Sequence, residues 1–140
     1  MNIVVDTNVF IGACIGGGAS SKVIEACIRG AAHPLMSDAL LLEYEDVLGR
    51  SDLFLRARLN SDERWALFEI LMSKAQWQNI YFRWRPNLRD AGDNHIVELA
   101  IAAGAGAIVT NNLRDFSGGN IKFDHIQVMR PDEFIREISG

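Results

Sequence analysis

The feature that most constrains this chain is an alternation. Short, β-branched apolar runs are separated by segments whose apolar residues recur at helical spacing. Ile3-Val4-Val5 is the first run, and Asp6-Thr7-Asn8 reads as the turn that ends it. Pro34-Leu35-Met36, Ala107 to Thr110 and Ile126 to Met129 read as further strands, as does Ile80 to Trp84 ahead of Pro86. Unbroken apolar runs of this length suit strands covered on both faces. Between them lie Val23, Ile24, Cys27 and Ile28, stopped by Gly30, and then Leu40, Leu41, Tyr44, Val47 and Leu48 behind a Ser37 cap. Asp52 to Leu59 reads as a short helix. Another, capped by Asn60 or Ser61, carries Trp65, Leu67, Phe68, Leu71 and Met72. Ile96, Val97, Ala100 and Ala103 mark a helix after Gly92 and before Gly104 or Gly106, and Pro131 opens the last one. Strands spaced by helices predict a three-layer α/β/α fold around a central, mostly parallel sheet, with residues 1–140 as a single domain.

Composition narrows the function classes. The chain is 49% hydrophobic and 23% charged, which excludes disorder, collagen-like repeats and a simple coiled coil. Cys14 and Cys27 form no CxxC pair and read as reduced core thiols. The N-terminus is a poor signal peptide, because Asp6 interrupts it and no basic residue precedes Lys22. Leu99 to Val109 is too short to span a bilayer. A soluble, cytoplasmic protein with no membrane association is the expectation. Eighteen acidic against fourteen basic residues leave a net charge of −4, unlike the usual basic nucleic-acid binder. An acidic metal site would supply such an excess. Arginines nevertheless cluster, as Arg50, Arg56 and Arg58 and again as Arg83, Arg85 and Arg89, and Arg85 and Arg89 are candidate phosphate contacts.

In open α/β sheets ligands bind beyond the carboxyl ends of the strands. Three acids fall on that edge. Asp6 follows the first strand directly. Glu43 lies three residues after Leu40 and four before Val47, bordering the buried stripe of its helix. Asp93 precedes Ile96, Val97 and Ala100 at helical spacings, on the inward side of a first turn. Carboxylates gathered together raise one another's pKa and gain nothing unless cations fill the space between them. Hard oxygen donors without Cys or His partners suit Mg²⁺ or Mn²⁺. Such ions activate water and neutralise charge on a phosphodiester.

Four stretches, in order, resemble the motifs of the PIN domain family. They are Ile3-Val4-Val5-Asp6-Thr7-Asn8-Val9, the run from Ser37 to Leu48 with Glu43 at its acidic position, the run from Arg89 to His95 with Asp93 at its acidic position and Asp90 flanking, and the run from Ile108 to Phe116. The resemblance spans nearly the whole chain. It implies a small Mg²⁺-dependent (or Mn²⁺-dependent) endoribonuclease similar to toxin components of bacterial toxin–antitoxin pairs. It further implies RNA as substrate, a cognate antitoxin as partner and a homodimer. Asp6, Glu43 and Asp93 are then the catalytic, metal-binding acids, with Asp90 a lesser candidate. The fourth motif departs from the family pattern Thr-x-Asp, because Asn112 stands where the acid is usual. Asp115, three residues on, reaches the same place if a helical turn begins at Asn112, so Asn112 and Asp115 compete for the fourth metal-binding position. The helix surface around residues 53–72 is the expected dimer contact, since Trp65, Leu67, Phe68, Leu71 and Met72 cover more than one stripe.

Two other readings use the same residues. Asn112 in place of an acid suits a catalytically weak PIN-like module that holds RNA or a protein partner. An acid after a buried strand also opens small-molecule phosphatases, but those carry Asp-x-Asp, and here Asn8 takes the second place. Gly16-Gly17-Gly18 lacks the spacing of a phosphate-binding P-loop. His33, His95 and His125 have no metal-ligand spacing.

Overall fold

A computed structural model of the protein describes residues 1–79, 94–116 and 126–139. The first strand, β1 (Asn2–Val5), leads into α1 (Thr7–Ile15) and α2 (Gly18–Arg29). Then come β2 (His33–Met36), α3 (Asp38–Leu48), a 3₁₀ turn at Ser51–Phe54, α4 (Ser61–Lys74) and β3 (Gln76–Trp77). The remaining elements are α5 (Asn94–Ala103), β4 (Ala107–Val109), a 3₁₀ turn at Leu113–Phe116, β5 (Gln127–Met129) and α6 (Pro131–Ser139).

The five strands form a parallel sheet in the order β3-β2-β1-β4-β5. Ile3, Val4 and Val5 pair with Ala107, Ile108 and Val109, which in turn pair with Gln127, Val128 and Met129. Consecutive residues of a strand face opposite ways, and all three of Ile3, Val4 and Val5 are buried, so both faces of the sheet are covered. On one side α2 packs against α1, α4 and α6, while α5 lies over β1, β2 and β4 and touches α3. This is the expected three-layer α/β/α arrangement. Each fully buried Val, Ile, Leu or Phe of this core contributes about 1.5–3 kcal/mol.

Local signals place most helix ends where the sequence puts them. The Ser37 hydroxyl accepts from the Leu40 amide at the start of α3, and Asn60 and Glu63 form a reciprocal capping box on α4. Gly30 closes α2 at φ 86°, a left-handed conformation that glycine adopts without penalty.

Several expectations change. Thr7-Asn8 is not a turn but the start of α1, a helix that the sequence reading omits altogether. Its residues are apolar on every side (Val9, Phe10, Ile11, Ala13, Cys14), so no polar stripe reveals the helical period. The segment after Asp52 is helical only as the 3₁₀ turn Ser51–Phe54. A strand forms at Gln76–Trp77, whose two exposed residues carry no alternation; the expected strand at 80–84 lies outside the described residues. Cys14 and Cys27 are free and buried, and burial pushes the Cys14 thiol up to about 11 and that of Cys27 to about 12. Neither is a nucleophile at neutral pH. Among the described residues no single helix is long and apolar enough to cross a membrane.

Candidate functional site

The strand order reverses its direction of growth at β1. β2 and β3 extend the sheet to one side, and the chain returns to lay β4 and β5 on the other. A crevice beyond the carboxyl ends of β1 and β4 is the place such a sheet offers a ligand. Asp6 directly follows β1 there, and Thr110 directly follows β4.

Asp6 is only 4% exposed and stands at the N-cap of α1, yet it makes no capping bond to the helix. Its carboxylate is held from the neighbouring strand instead. The Thr110 hydroxyl donates to Asp6 Oδ2 at 2.9 Å, and Asn8 Nδ2 donates to the same oxygen at 3.1 Å. The backbone beside it is fixed as well: the Asp6 amide donates to Val109 O at 3.0 Å, and the Tyr44 hydroxyl donates to Val5 O at 2.7 Å. Burial above all pushes the Asp6 carboxyl up to about 6. The Thr110 bond pulls it down, the negative charge of Glu43 pushes it further up, and the Thr7 amide and His95 pull it down.

Glu43 arrives from α3. Its charge acts on Asp6, so these two expected acids share one electrostatic environment. Glu43 Oε2 is buried and lies 2.9 Å from His95 Nε2 on the first turn of α5. The approach has the distance of an ion pair without the alignment of a hydrogen bond.

The fourth motif wraps the crevice from the β4 side. The Asn112 amide donates to Thr110 Oγ1 at 3.0 Å, and the Asn111 amide donates to Asn8 Oδ1 at 3.0 Å. Asn111 Nδ2 also reaches Ser20 Oγ at 3.3 Å, tying α2 to the end of β4. Asp115 sits on the 3₁₀ turn that begins after Asn112, and Asn112 Nδ2 donates to Asp115 Oδ2 at 2.6 Å. The two candidates for the fourth position are therefore adjacent and hydrogen-bonded.

Asp93 and Asp90, with Arg85 and Arg89, lie outside the described residues. Among the described residues, no three His, Cys, Asp or Glu side chains gather closely enough to hold a metal ion. Asp6 and Glu43 still fit a hard cation in kind. Both offer carboxylate oxygen, their charges oppose each other, and Glu43 Oε2 is a buried oxygen without a hydrogen bond.

The arginine cluster near residue 50 is partly engaged elsewhere. Arg58 donates to Gly16 O at 2.7 Å and Ala13 O at 3.2 Å, closing the end of α1, and Arg50 pairs with Asp46. Phe68 belongs to an aromatic core group with Phe10 and Tyr44, at centroid distances of 6.4 and 6.0 Å. Sequence spacing missed Asn8, Asn111 and His95 as parts of the site. Asn111 and His95 meet partners far along the chain, and Asn8 bonds Asp6 locally but also Thr110 and Asn111; no local pattern announces the distant pairings.

Comparison with known proteins follows the same lines. The sequence profile described as PIN domain matches residues 2–114. No curated protein matches the chain. Among solved structures, it is similar to a chain in the crystal structure of VapBC2 from Rickettsia felis bound to a DNA fragment from their promoter. The TM-score is 0.58 with 15% identity, over 93% of this chain and 98% of that one. At that identity the likeness concerns the fold, and it agrees with the parallel sheet described above. With the profile spanning four of the five described strands and the carboxyl ends of β1 and β4, this chain belongs to the PIN domain family.

Proposed function

We propose that this PIN domain is a divalent-metal-dependent endoribonuclease, using Mg²⁺ or Mn²⁺, and that it serves as the cytoplasmic toxin of a toxin–antitoxin pair. The observation that carries the reading is Asp6: a buried carboxylate, raised to about 6, at the carboxyl end of β1 beside Thr110, and under the charge of Glu43. A buried acid in the field of a second acid is costly to a fold and useful to a cation.

In this reading Asp6, Glu43 and Asp93 hold the metal, with Asp115 or Asn112 completing the set and Asp90 in reserve. A bound cation would supply activation of water and neutralisation of phosphodiester charge. The chain's own part is positioning. Thr110 and Asn8 hold the Asp6 carboxylate in one orientation, and Tyr44 and the β4 backbone hold the end of β1 that carries it. Arg85 and Arg89 are assigned to the RNA phosphates. The likeness to a chain of VapBC2 supports a protein partner, here an antitoxin. Exposed Leu55, Trp65 and Ile70 support a homodimer through the segment around residues 53–72.

The test is cleavage of a mixed RNA panel with and without Mg²⁺ or Mn²⁺, with Asp6→Asn as control. Metal-dependent cutting lost in Asp6→Asn is the expected result. RNA binding without cutting would favour the second reading, a binding module, for which Asn112 in an acid's place is the specific observation. Hydrolysis of a chromogenic phosphate ester without RNA cleavage would favour a phosphatase.

A further inference from the structure

We infer that His95 is the positioning residue for Glu43, keeping its carboxylate in place at the crevice for a bound cation; the inference rests on the metal-site reading above. Glu43 projects from α3 on a side chain with three free torsions, and ordering such a chain costs conformational entropy. Something must hold it if it is to ligate. The neighbouring charge at the crevice, Asp6, repels it. Among the described residues, His95 Nε2 meets it, 2.9 Å from Oε2, with the two side chains 21% and 31% exposed.

His95 is well placed to be the fixed member of the pair. It stands in the first turn of α5, followed directly by the fully buried Ile96 and Val97, and α5 lies across β1, β2 and β4. Its other nitrogen, Nδ1, is buried and has no partner among the described residues. Its backbone is anchored by these buried neighbours, and the imidazole directs its polar contact at Glu43. Partners of this kind, which bind a metal's ligand rather than the metal, typically change affinity 10–100-fold when removed.

The experiment measures Mn²⁺ affinity by electron paramagnetic resonance, with thermal melting of each metal-free variant as the check on folding. His95→Ala should weaken Mn²⁺ binding at least about tenfold. His95→Gln, which returns an N–H near the place of Nε2, should recover most of the loss. In a Glu43→Gln background, His95→Ala should cost nothing further, since the two side chains act as one unit. Unchanged affinity in His95→Ala would overturn the inference, and so would tighter binding, which would mean that the imidazole competes with the cation. If His95→Ala does not fold, His95→Met takes its place, and loss of folding in both would mark His95 as structural and overturn the inference. Asp6→Asn separates the two levels. If it binds Mn²⁺ like the unaltered protein, the metal-site reading fails. If it loses binding while His95→Ala does not, only the role of His95 fails.

Discussion

Thr110 donates its hydroxyl hydrogen to Asp6 Oδ2 at 2.9 Å while its oxygen accepts from the Asn112 amide at 3.0 Å. One hydroxyl thus links the ends of β1 and β4, adjacent in the sheet but far apart in sequence, and joins the first motif to the fourth.

Asp6 should make stability depend on pH. Its carboxyl titrates near 3.8 when unfolded and is pushed up to about 6 when folded. Below pH 4 the group is neutral in both states and costs nothing. As pH rises from about 4 to about 6 the folded state is penalised increasingly, and above 6 the penalty is complete, roughly 3 kcal/mol as an upper bound. Urea denaturation of the metal-free protein should show stability falling through that window relative to Asp6→Asn. Mg²⁺ at pH 7 should restore it more than a monovalent salt of equal ionic strength.

Asp115 should matter more than Asn112 for metal chemistry. The Asn112 amide already donates to the Asp115 carboxylate, so Asn112 serves as an orienting group and Asp115 as the charge. Asp115→Asn should lower metal-dependent RNA cleavage about 100-fold, comparably to Asp6→Asn. Asn112→Asp places two carboxylates side by side. The metal-free melting temperature should fall, and the rise on adding Mn²⁺ should grow.

Tyr44 should contribute to stability through one bond. Its fully buried hydroxyl donates to Val5 O at 2.7 Å. Tyr44→Phe leaves the ring among Phe10 and Phe68 and removes only that donor, at a cost of about 1–2 kcal/mol measurable by urea denaturation.

Gly12 should tolerate no side chain. A Cβ there would lie 2.8 Å from Ser20 Oγ and 3.1 Å from Ser20 Cβ, so the Ser20 side chain, which accepts from Asn111, must shift to make room. Gly12→Ala should destabilise by about 1–3 kcal/mol. Adding Ser20→Gly should return much of it in a thermal melt.

Leu55 should report on self-association. It is 83% exposed, and Trp65 and Ile70 are exposed nearby in sequence. Light scattering should give a dimeric mass at micromolar concentration, and Leu55→Asp with Trp65→Ser should give a monomeric one with an unchanged far-ultraviolet spectrum. A monomer from the unaltered chain would remove this surface from the reading.

The residue pattern by itself determined the parallel α/β architecture, because buried strands and amphipathic helices each leave a period that side-chain polarity must follow. It also determined that Asp6 would stand at a strand end, and it marked Ser37, Asn60 or Ser61, Gly30 and Pro131 as helix boundaries, since capping is local chemistry. The helix Thr7–Ile15 left no such mark, being apolar all round. Only the tertiary structure decided which groups meet. Thr110 on Asp6, Asn111 on Asn8 and Ser20, and His95 against Glu43 join residues remote in sequence. Such pairings depend on strand order and helix docking, which arise from the packing of the whole core rather than from any segment's own preferences.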